Sequence, residues 1–374
     1  MNSSMERKKV KIIVSGGGTG GHIFPAISIA NALKESNPEV EILFVGAEGK
    51  MEMEKVPAAG YKIVGLPVVG FKRKLSLQNI GFFFKLFKSI KEAKRIFNNF
   101  KPDVVVGVGG YASGPMLKVA QKNGVPTLIQ EQNSYAGVTN KLLAKKADKI
   151  CVAYHGMEKY FPKEKIMLTG NPVRQDLTDV AELRERAFEY FGIPTNNKVL
   201  LVLGGSLGAR TLNQSLLAYM TELAVNQGVT VIWQTGKLYY FDVKQELSGY
   251  NAKNIRILDF VTRMDLAYAA ADLVISRAGA GTISELCLVG KPAILVPSPN
   301  VAEDHQTQNA IALVSSDAAV MVRDVEAQAK LIPTAIGLLQ NNDRLVVLAR
   351  NIKKMALPNS AQIIAKEVMK LVKQ

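Results

Sequence analysis

The stretch VKIIVSGGGTGGH (residues 10–22) joins an apolar run to five glycines, one threonine and one of the chain's three histidines. Glycine weakens strands and helices alike, so five of them at the end of a strand need a reason. A tight strand-to-helix turn lets backbone N–H groups approach a phosphate, and the next helix adds the partial positive charge of its N-terminus. The stretch therefore predicts a βα unit whose turn either binds a ligand or only connects the two elements.

The same glycines offer a weaker interpretation as a dinucleotide site. Gly16, Gly18 and Gly21 have the spacing of the dinucleotide fingerprint. Such a site also requires an acid at the end of the second strand, where it binds the ribose. Here the second strand, EILFVG, ends in Gly46, and Glu48 follows too late. An NAD-dependent oxidoreductase is therefore an alternative with little support.

Short apolar runs alternate with amphipathic segments almost throughout the chain. One series of predicted strands runs from VKIIVSG to KIMLTG, and a second runs from KVLLVLGG to AAVMVRD. Their continuous Val, Ile and Leu runs indicate strands buried on both faces, as in a parallel sheet covered by helices. Because each series opens with a strand, a glycine-rich loop and a helix, we predict two Rossmann-like α/β domains that face each other across a cleft.

The chain length of 374 residues fits two domains of ordinary size. The joint falls near GNPVRQD (170–176), where a charged helical segment separates the two series of strands. We predict an N-terminal domain over 1–172 and a C-terminal domain over 173–355. The last helix, within 356–374, can pack on either domain, including back on the N-terminal one.

Composition excludes several classes of protein. With 48% hydrophobic and 21% charged residues, the chain resembles a soluble globular protein. No apolar run approaches the roughly 20 residues of a spanning helix, and the basic start leads into a strand without a signal segment. Cys151 and Cys287 stand alone, so we expect buried thiols in a reducing compartment. Neither a cluster with metal-ligand spacing nor an Asp-x-Asp motif occurs, and we expect no metal and no cofactor.

The net charge of +15 is unevenly distributed. Between Gly70 and Lys101 there are nine basic residues and a single acid, Glu92. A basic stripe attracts polyanions such as nucleic acid, anionic lipid or phosphorylated substrates. This stripe contains no recognisable nucleic-acid-binding motif, so we expect no nucleic acid partner.

Residues 71–101 also hold seven of the fourteen phenylalanines. One set of apolar side chains recurs at helical spacing and predicts a face packed on the core: Ile80, Phe83, Phe84, Phe87 and Ile90. Phe71 and Phe82 fall outside this face, close to lysines. We hypothesise that exposed phenylalanines and lysines here rest on an anionic membrane surface. An ordinary helix with a solvated charged face is the alternative.

Three further glycine-containing loops follow predicted strands: GVGGYASGP (107–115), GGSLGAR (204–210) and RAGAGTISE (277–285). In the last of these, Gly279 to Gly281 predict an open turn, after which Thr282 and Ser284 can donate hydrogen bonds or cap a helix. Glu285 can accept hydrogen bonds from the two hydroxyls of a sugar diol. It can equally complete a capping box with Thr282 or Ser284, and the residues alone leave both interpretations open.

Taken together, the motifs occur in an order that resembles the MurG family: GGTGGHIFPAISIA, GVGGYASGP, EQNSYAGVTNKLLAK, GNPVR, GGSLGAR and RAGAGTISEL. The resemblance runs from about Val10 to Ala310 and implies a GT-B fold. It also implies an inverting glycosyltransferase that moves N-acetylglucosamine from UDP-GlcNAc to undecaprenyl-diphosphate-linked N-acetylmuramyl-pentapeptide, converting lipid I into lipid II. The implied setting is peptidoglycan synthesis, and hence cell shape and division, at the cytoplasmic face of the cell membrane as a peripheral protein, together with other cell-wall synthesis proteins.

The resemblance further implies which residues bind each substrate. Glu285 contacts the ribose, Val261 offers backbone to the uracil, Ser206 binds a donor phosphate and Gln306 holds hydroxyls of the transferred sugar. The remaining donor-binding residues that it implies are Thr19, Gly20, Gly21, Asn133, Arg174, Ala280, Gly281, Thr282, Ile283 and Ser284. Those that it implies for the acceptor are Gly17, Gly18, Gly109, Gly110 and Tyr111.

The implied reaction is a single in-line displacement at the sugar with inversion, which needs a base for the muramyl 4-hydroxyl. It also needs stabilisation of the departing UDP, which N–H groups and helix N-termini can supply without a metal. His22 is our candidate base, because the ordinary pKa of histidine, about 6.5, suits proton transfer near neutral pH. The alternative is that His22 binds the acceptor phosphate or caps the turn.

Two rival functions share part of the pattern. Another GT-B enzyme, such as a diacylglycerol glycosyltransferase, shares the donor-loop chemistry and membrane contact but not the acceptor-side motifs. A non-catalytic nucleotide-sugar-binding subunit requires the catalytic half to lie elsewhere, whereas both halves are present in this chain.

Overall fold

The computed structural model of the chain describes residues 9–68, 78–173, 177, 180–205, 207–301 and 304–372, with the side chains of all of these except 78–85. The chain forms two compact units. The first consists of Met1–Val173 and Pro358–Gln374, and the second consists of Arg174–Leu357. Each contains one parallel sheet covered by helices.

The first unit contains a seven-stranded sheet in the order β3-β2-β1-β4-β5-β6-β7, and all of its strand pairs are parallel. Its strands are β1 (Lys11–Ser15), β2 (Glu41–Ala47), β3 (Lys62–Leu66), β4 (Val104–Gly107), β5 (Thr127–Glu131), β6 (Lys149–Val152) and β7 (Ile166–Leu168). The helices between them are α1 (Gly20–Ser36), α2 (Glu52–Ala58), α3 (Gln78–Phe100), α4 (Ser113–Lys122) and α5 (Val138–Ala144). Strands β1 and β4 are completely buried over most of their length because helices cover both faces.

The second unit contains a six-stranded parallel sheet in the order β10-β9-β8-β11-β12-β13. Its strands are β8 (Lys198–Leu203), β9 (Val229–Gln234), β10 (Ile255–Leu258), β11 (Leu273–Ser276), β12 (Ala293–Leu295) and β13 (Val320–Met321). Its helices are α6 (Arg184–Phe191), α7 (Arg210–Ala218), α8 (Met220–Val225), α9 (Tyr240–Leu247), α10 (Met264–Ala270), α11 (Ala280–Val289), α12 (His305–Val314), α13 (Ala327–Gln340) and α14 (Asn342–Lys354). Trp233 on β9 lies at the centre of the core, and its indole N–H donates to Asn213 Oδ1 at 2.9 Å.

The last helix, α15 (Ser360–Leu371), packs against α1 in the first unit. Its buried side chains recur at spacings of three and four residues, as expected for one face of a helix: Ala361, Ile364, Ala365 and Val368. They belong to the same core cluster as Ile12 and Val14 of β1. The chain therefore returns to the first unit after completing the second.

The two-domain α/β fold predicted from the apolar runs is confirmed, and every predicted strand is present. The strand that sequence reasoning missed is β3, at one edge of the first sheet. Most of its residues are only half-buried, and Lys62 and Gly65 interrupt its apolar run. An edge strand with one partner lacks the continuous hydrophobic signal of a central strand.

The prediction that Phe87 packs in the core is wrong. Its side chain is 75% exposed. The buried face of α3 runs through Ser89, Ala93, Ile96 and Phe97. At 100° per residue, Phe87 lies roughly 135° around the helix from the middle of that face. Ile90 does pack against the core, whereas the side chains of Ile80, Phe82, Phe83, Phe84 and all of Phe71 lie outside the described residues.

Candidate active site

In each sheet the strand order reverses between two neighbouring strands: β1 and β4 in the first unit, β8 and β11 in the second. The helices that follow such a pair pass to opposite faces, and ligands of open α/β sheets bind at the crevice that this leaves at the carboxyl ends. The glycine-containing loops 16–19, 108–112, 204–205 with 207–209, and 277–279 follow these four strands. The predicted site loops therefore lie at the two positions where the fold favours ligand binding.

The two loops of the first unit contact each other through their backbones. Gly17 and Gly18 have φ angles of 144° and 90°, and Gly109 and Gly110 have φ angles of 92° and 82°. Residues with a side chain rarely adopt this region. A Cβ atom on Gly110 would also lie 2.3 Å from the carbonyl oxygen of Gly17. Glycine is therefore required here both by conformation and by the close approach of the loops.

His22 lies in the first turn of α1 and contacts both loops. Its Nδ1 lies 3.2 Å from the hydroxyl oxygen of Thr19, the residue that precedes the helix. On its other side the ring packs on Gly109, where an added Cβ atom would lie 3.0 Å from Nε2. The half-buried imidazole is thus fixed relative to β1 and β4 together.

The loop after β4 is attached to β1 by Ser113. The buried hydroxyl of Ser113 donates to the carbonyl oxygens of Ser15 at 2.6 Å and Gly109 at 2.9 Å. Tyr111, in the same loop, has a side chain that is 54% exposed. An aromatic ring is therefore presented to solvent from a loop whose base is rigid.

Glu52 is a residue of this site that sequence reasoning missed. It begins α2 and is only 1% exposed. Its Oε2 accepts the N–H of Gly18 and its Oε1 accepts the N–H of Ala47, each at 2.9 Å. The sequence gives no reason to choose it over the nearby acids Glu48 and Glu54, because only the fold shows which carboxylate turns inward.

The contact also weakens the dinucleotide interpretation. Gly18 is the second glycine of the fingerprint, at which the backbone approaches a pyrophosphate. Its N–H group already donates to the carboxylate of Glu52. A pyrophosphate at that position would have to displace a buried anion of the chain itself.

Asn133 lies in the loop after β5, which a buried carboxylate organises. Glu131 accepts the backbone N–H groups of Asn133 at 3.1 Å and Gly137 at 3.0 Å, and the side-chain amide of Asn140 at 2.8 Å. Burial raises the pKa of Glu131 above its usual value, and these hydrogen bonds oppose the rise. Glu131, the first residue of the motif EQN, therefore positions Asn133. The sequence alone assigned Glu131 no role.

In the second unit, α11 begins at Ala280, and Gly279 precedes it without a side-chain cap. Both sequence-based expectations for this stretch need correction. Ala280 and Gly281 belong to the helix rather than to an open turn, and the capping box is absent because Thr282 already lies inside the first turn. The turn itself spans 277–279. Ile283 is buried in the core, so only its backbone can reach a ligand.

Glu285 is held by a tyrosine that the sequence analysis did not single out. The hydroxyl of Tyr268, a fully buried residue of α10, donates to Glu285 Oε2 at 2.9 Å. The end of α10 is in turn attached to the loop before β12, because Lys291 Nζ donates to the carbonyl oxygen of Ala271 at 2.8 Å. The half-buried carboxylate of Glu285 is therefore fixed in direction.

Two other predicted residues are anchored through one polar group each. The N–H of Val261 donates to Gln234 Oε1 at 3.0 Å. Gln306, in the first turn of α12, accepts the N–H of Ser298 at 2.9 Å through its Oε1. Ser206 and Arg174 lie outside the described residues.

Cys151 and Cys287 are buried as predicted, and burial raises the pKa of each thiol to about 12. Across the residues that the structure describes, His, Cys, Asp and Glu side chains do not assemble in groups of three or more that could hold a metal ion. In the same part of the chain, none of the helices combines the length and apolar character needed to cross a bilayer.

Comparison with known proteins agrees with this geometry. The N-terminal domain of glycosyltransferase family 28 matches residues 12–152, and its C-terminal domain matches residues 199–367. A protein of Parabacteroides distasonis is 59% identical over 98% of this chain and 99% of its own length. One from Bacteroides fragilis is 57% identical over 100% and 98%. Both are named UDP-N-acetylglucosamine–N-acetylmuramyl-(pentapeptide) pyrophosphoryl-undecaprenol N-acetylglucosamine transferase.

The chain belongs to the MurG family of glycosyltransferases. The crystal structure of MurG from Acinetobacter baumannii is 29% identical, with a TM-score of 0.78 over 96% of this chain and 99% of that one. A UDP-GlcNAc 2-epimerase from Neisseria meningitidis, at 17% identity and a TM-score of 0.65 over 97% and 100%, shows the same fold. The MurG resemblance and the GT-B fold predicted from the motifs are therefore confirmed.

Lys291, which holds the end of α10, makes the free energy of unfolding depend on pH. Burial, with a smaller contribution from Arg184, lowers the pKa of Lys291 to about 8 against the opposing effect of Asp272. The unfolded chain, in which lysine has a pKa of about 10.4, therefore binds more protons than the folded protein between these two values. The free energy of unfolding should therefore rise with pH across this window. Below the window, the contribution of Lys291 should no longer change with pH.

We expect the variant Lys291→Met to lack this rise. Between pH 7.5 and 10.5 its free energy of unfolding should increase by on the order of 2 kcal/mol less than that of the unsubstituted protein, measured by urea titration. Lys366→Met, which replaces an exposed lysine of α15, is the matched control and should follow the unsubstituted protein. Identical pH dependence in all three proteins would contradict the assignment.

Proposed function

We propose that this chain transfers N-acetylglucosamine from UDP-GlcNAc to the muramyl 4-hydroxyl of undecaprenyl-diphosphate-linked MurNAc-pentapeptide, converting lipid I into lipid II in peptidoglycan synthesis. The observation that carries this conclusion is similarity along the whole chain: relatives named for this transfer are 52–59% identical over 97–100% of it. The loops at both reversals of strand order offer backbone N–H groups and polar side chains of the kind that such a reaction needs.

The second unit is the proposed donor-binding domain. Its Glu285 carboxylate, directed by Tyr268, can accept hydrogen bonds from the two ribose hydroxyls of UDP. The N–H groups in the first turn of α11 can bind the diphosphate. Because the N–H of Val261 is engaged by Gln234, its carbonyl oxygen is the group that would accept the N3–H of uracil.

The transferred sugar is assigned to Gln306. Its Oε1 is engaged by Ser298, so its amide nitrogen is the group that would donate to a sugar hydroxyl. The same proposal gives a donor-binding role to Thr19, Gly20, Gly21, Asn133, Arg174, Ser206, Ala280, Gly281, Thr282, Ile283 and Ser284.

The first unit is the proposed acceptor-binding domain. Its loops present Gly17, Gly18, Gly109, Gly110 and Tyr111 at the reversal of strand order. Because the N–H of Gly18 is engaged by Glu52, this residue would line the site through its Cα and carbonyl atoms. The exposed ring of Tyr111 is suited to packing on a sugar or peptide of the acceptor.

His22 is proposed as the general base. A base needs a nitrogen lone pair within reach of the hydroxyl that it deprotonates. In the tautomer that carries its proton on Nδ1 and donates to the Thr19 hydroxyl at 3.2 Å, the lone pair lies on Nε2, which would accept the proton of the muramyl 4-hydroxyl. The oxygen then attacks the anomeric carbon opposite the departing UDP, which inverts the configuration and forms a β-1,4 bond.

The outer face of α3 supports a peripheral attachment to the cytoplasmic side of the cell membrane. It combines the exposed ring of Phe87 with the exposed basic residues Lys88, Lys91, Lys94 and Arg95. Near an anionic surface each such charge contributes about 1 kcal/mol. Contacts with other cell-wall synthesis proteins, implied by the resemblance, stay a prediction.

The test of the function is disaccharide formation by pure protein given UDP-GlcNAc and a polyprenyl-diphosphate muramyl-peptide. UDP should also raise the melting temperature, and NAD should not. Glu285→Gln loses a charge-assisted hydrogen bond and should weaken UDP binding by roughly ten- to a hundredfold. Glu222→Gln, an exposed substitution in the same unit, is the control. A protein stabilised by NAD but not by UDP would refute the proposal.

Removal of the base should slow the chemical step. His22→Ala is expected to lower kcat by roughly 10²- to 10⁴-fold while UDP affinity stays unchanged, as measured by steady-state kinetics and calorimetry. His155→Ala removes an exposed histidine and serves as the control. If turnover stays near normal and the KM for the acceptor rises, His22 binds the acceptor and is not the base.

Membrane attachment can be tested by co-sedimentation with vesicles of phosphatidylglycerol and of phosphatidylcholine. The double variant Lys88→Glu/Lys91→Glu should bind anionic vesicles at least about tenfold more weakly. Lys237→Glu/Lys253→Glu changes the net charge equally at exposed sites of the second unit and should bind normally. Equal losses in both variants, or binding that ignores lipid charge, would speak against the α3 surface.

A further inference from the structure

We propose that Glu52 is a positioning residue for the transfer reaction, because its buried carboxylate holds the glycine loop 16–19 in the shape that places Thr19 and His22. The inference rests on the proposed function and extends it to a residue that would contact neither substrate. Glu52 acts on the reaction only through the backbone of the loop.

Both oxygens of the carboxylate are engaged by backbone from two different strands. Oε2 accepts the N–H of Gly18, beyond the end of β1, and Oε1 accepts the N–H of Ala47, the last residue of β2, each at 2.9 Å. The side chain thus connects the loop to the neighbouring strand. With 1% of the residue exposed, water does not compete for either bond.

The surrounding backbone leaves room for this carboxylate and for little else. A Cβ atom on Gly17 would lie 2.1 Å from Glu52 Oε1. A Cβ atom on Gly46, at the end of β2, would lie 2.6 Å from Glu52 Cγ. One side chain therefore explains why glycine occurs at two positions that lie far apart in the sequence.

The position of Gly18 determines that of the residues which follow it. Thr19 comes next and adopts an extended conformation with φ of −145° before α1 begins. Its carbonyl oxygen accepts the N–H of His22 at 3.1 Å, and its hydroxyl lies 3.2 Å from His22 Nδ1. A displacement of Gly18 would therefore shift the imidazole relative to the loop after β4.

The arrangement also supplies the glycine loop with a partner from the chain itself. In dinucleotide-binding folds an external pyrophosphate faces the corresponding glycine N–H. Here an internal anion takes that place. The loop is thereby organised before either substrate arrives, and preorganisation of this kind lowers the cost of reaching the reactive geometry.

Glu52→Gln is the informative variant, with Glu54→Gln as its matched control. The amide of glutamine can accept only one of the two N–H bonds and turns its own N–H₂ group toward the other donor. Glu54 lies on the same helix, but its side chain is 77% exposed. We expect Glu52→Gln to lower kcat by roughly ten- to a hundredfold with UDP affinity within twofold, whereas Glu54→Gln retains full activity.

A double variant separates positioning from a general structural effect. If Glu52 acts through the loop that carries His22, then Glu52→Gln/His22→Ala should be no slower than His22→Ala alone. A purely structural loss would multiply the two effects. Activity of the unsubstituted protein and of Glu54→Gln establishes the proposed function independently, so its failure is distinguishable from failure of this inference.

The inference would be overturned by a Glu52→Gln variant as active as Glu54→Gln, by equal losses in kcat and UDP affinity, or by multiplicative effects in the double variant. If Glu52→Gln does not fold, Glu52→Asp decides, because its shorter side chain keeps the charge but cannot reach both amides. Lower kcat at unchanged UDP affinity in that variant supports the role. Wild-type kcat, or failure of both variants to fold, refutes it.

Discussion

Close approach of backbone to backbone at the reversal of strand order is the constraint on which the first unit depends. The loops after β1 and β4 can touch only because Gly16 and Gly110 lack side chains. Parallel pairing of the two strands, with Ile12 opposite Val104, delivers both loops to the same edge. His22 then packs against Gly109, so the proposed base inherits its position from two strands rather than from one flexible loop.

Internal carboxylates support several of the loops that we assign to substrate binding. Glu52 holds the first glycine loop, Glu131 holds the loop that contains Asn133, and Asp324 accepts a hydrogen bond from Thr211 at 3.1 Å and pairs with Arg277. Glu52 and Glu131 accept backbone N–H groups that would otherwise lack partners. Anionic substrates would therefore meet loops that anions of the chain have already shaped.

The sequence predicts the fold well because its signal is strong and local. Buried parallel strands give uninterrupted apolar runs, and these identified all strands except the half-exposed edge strand β3. The orientation of α3 is harder to predict from the sequence. Clustered phenylalanines suggested a core face that includes Phe87, whereas packing buries the less conspicuous Ser89 and Ala93.

The candidate site divides in the same way. The glycines and His22 can be recognised by residue type and spacing, but the side chains that hold them cannot. Glu52 and Tyr268 have no motif of their own, because their roles arise from contacts across 34 and 17 residues. The capping-box interpretation of Glu285 failed for a related reason: a helix start can be displaced by a few residues, and only the backbone conformation of Gly279 decides it.

The return of α15 to the first unit has a consequence for biosynthesis. The core around β1 includes Ile364 and Val368, which leave the ribosome after the entire second unit. Domains ordinarily fold in the order of their synthesis. Here the unit begun first is completed only after the second unit has been synthesised, so the nascent protein must keep the buried face of α1 uncovered until α15 has emerged.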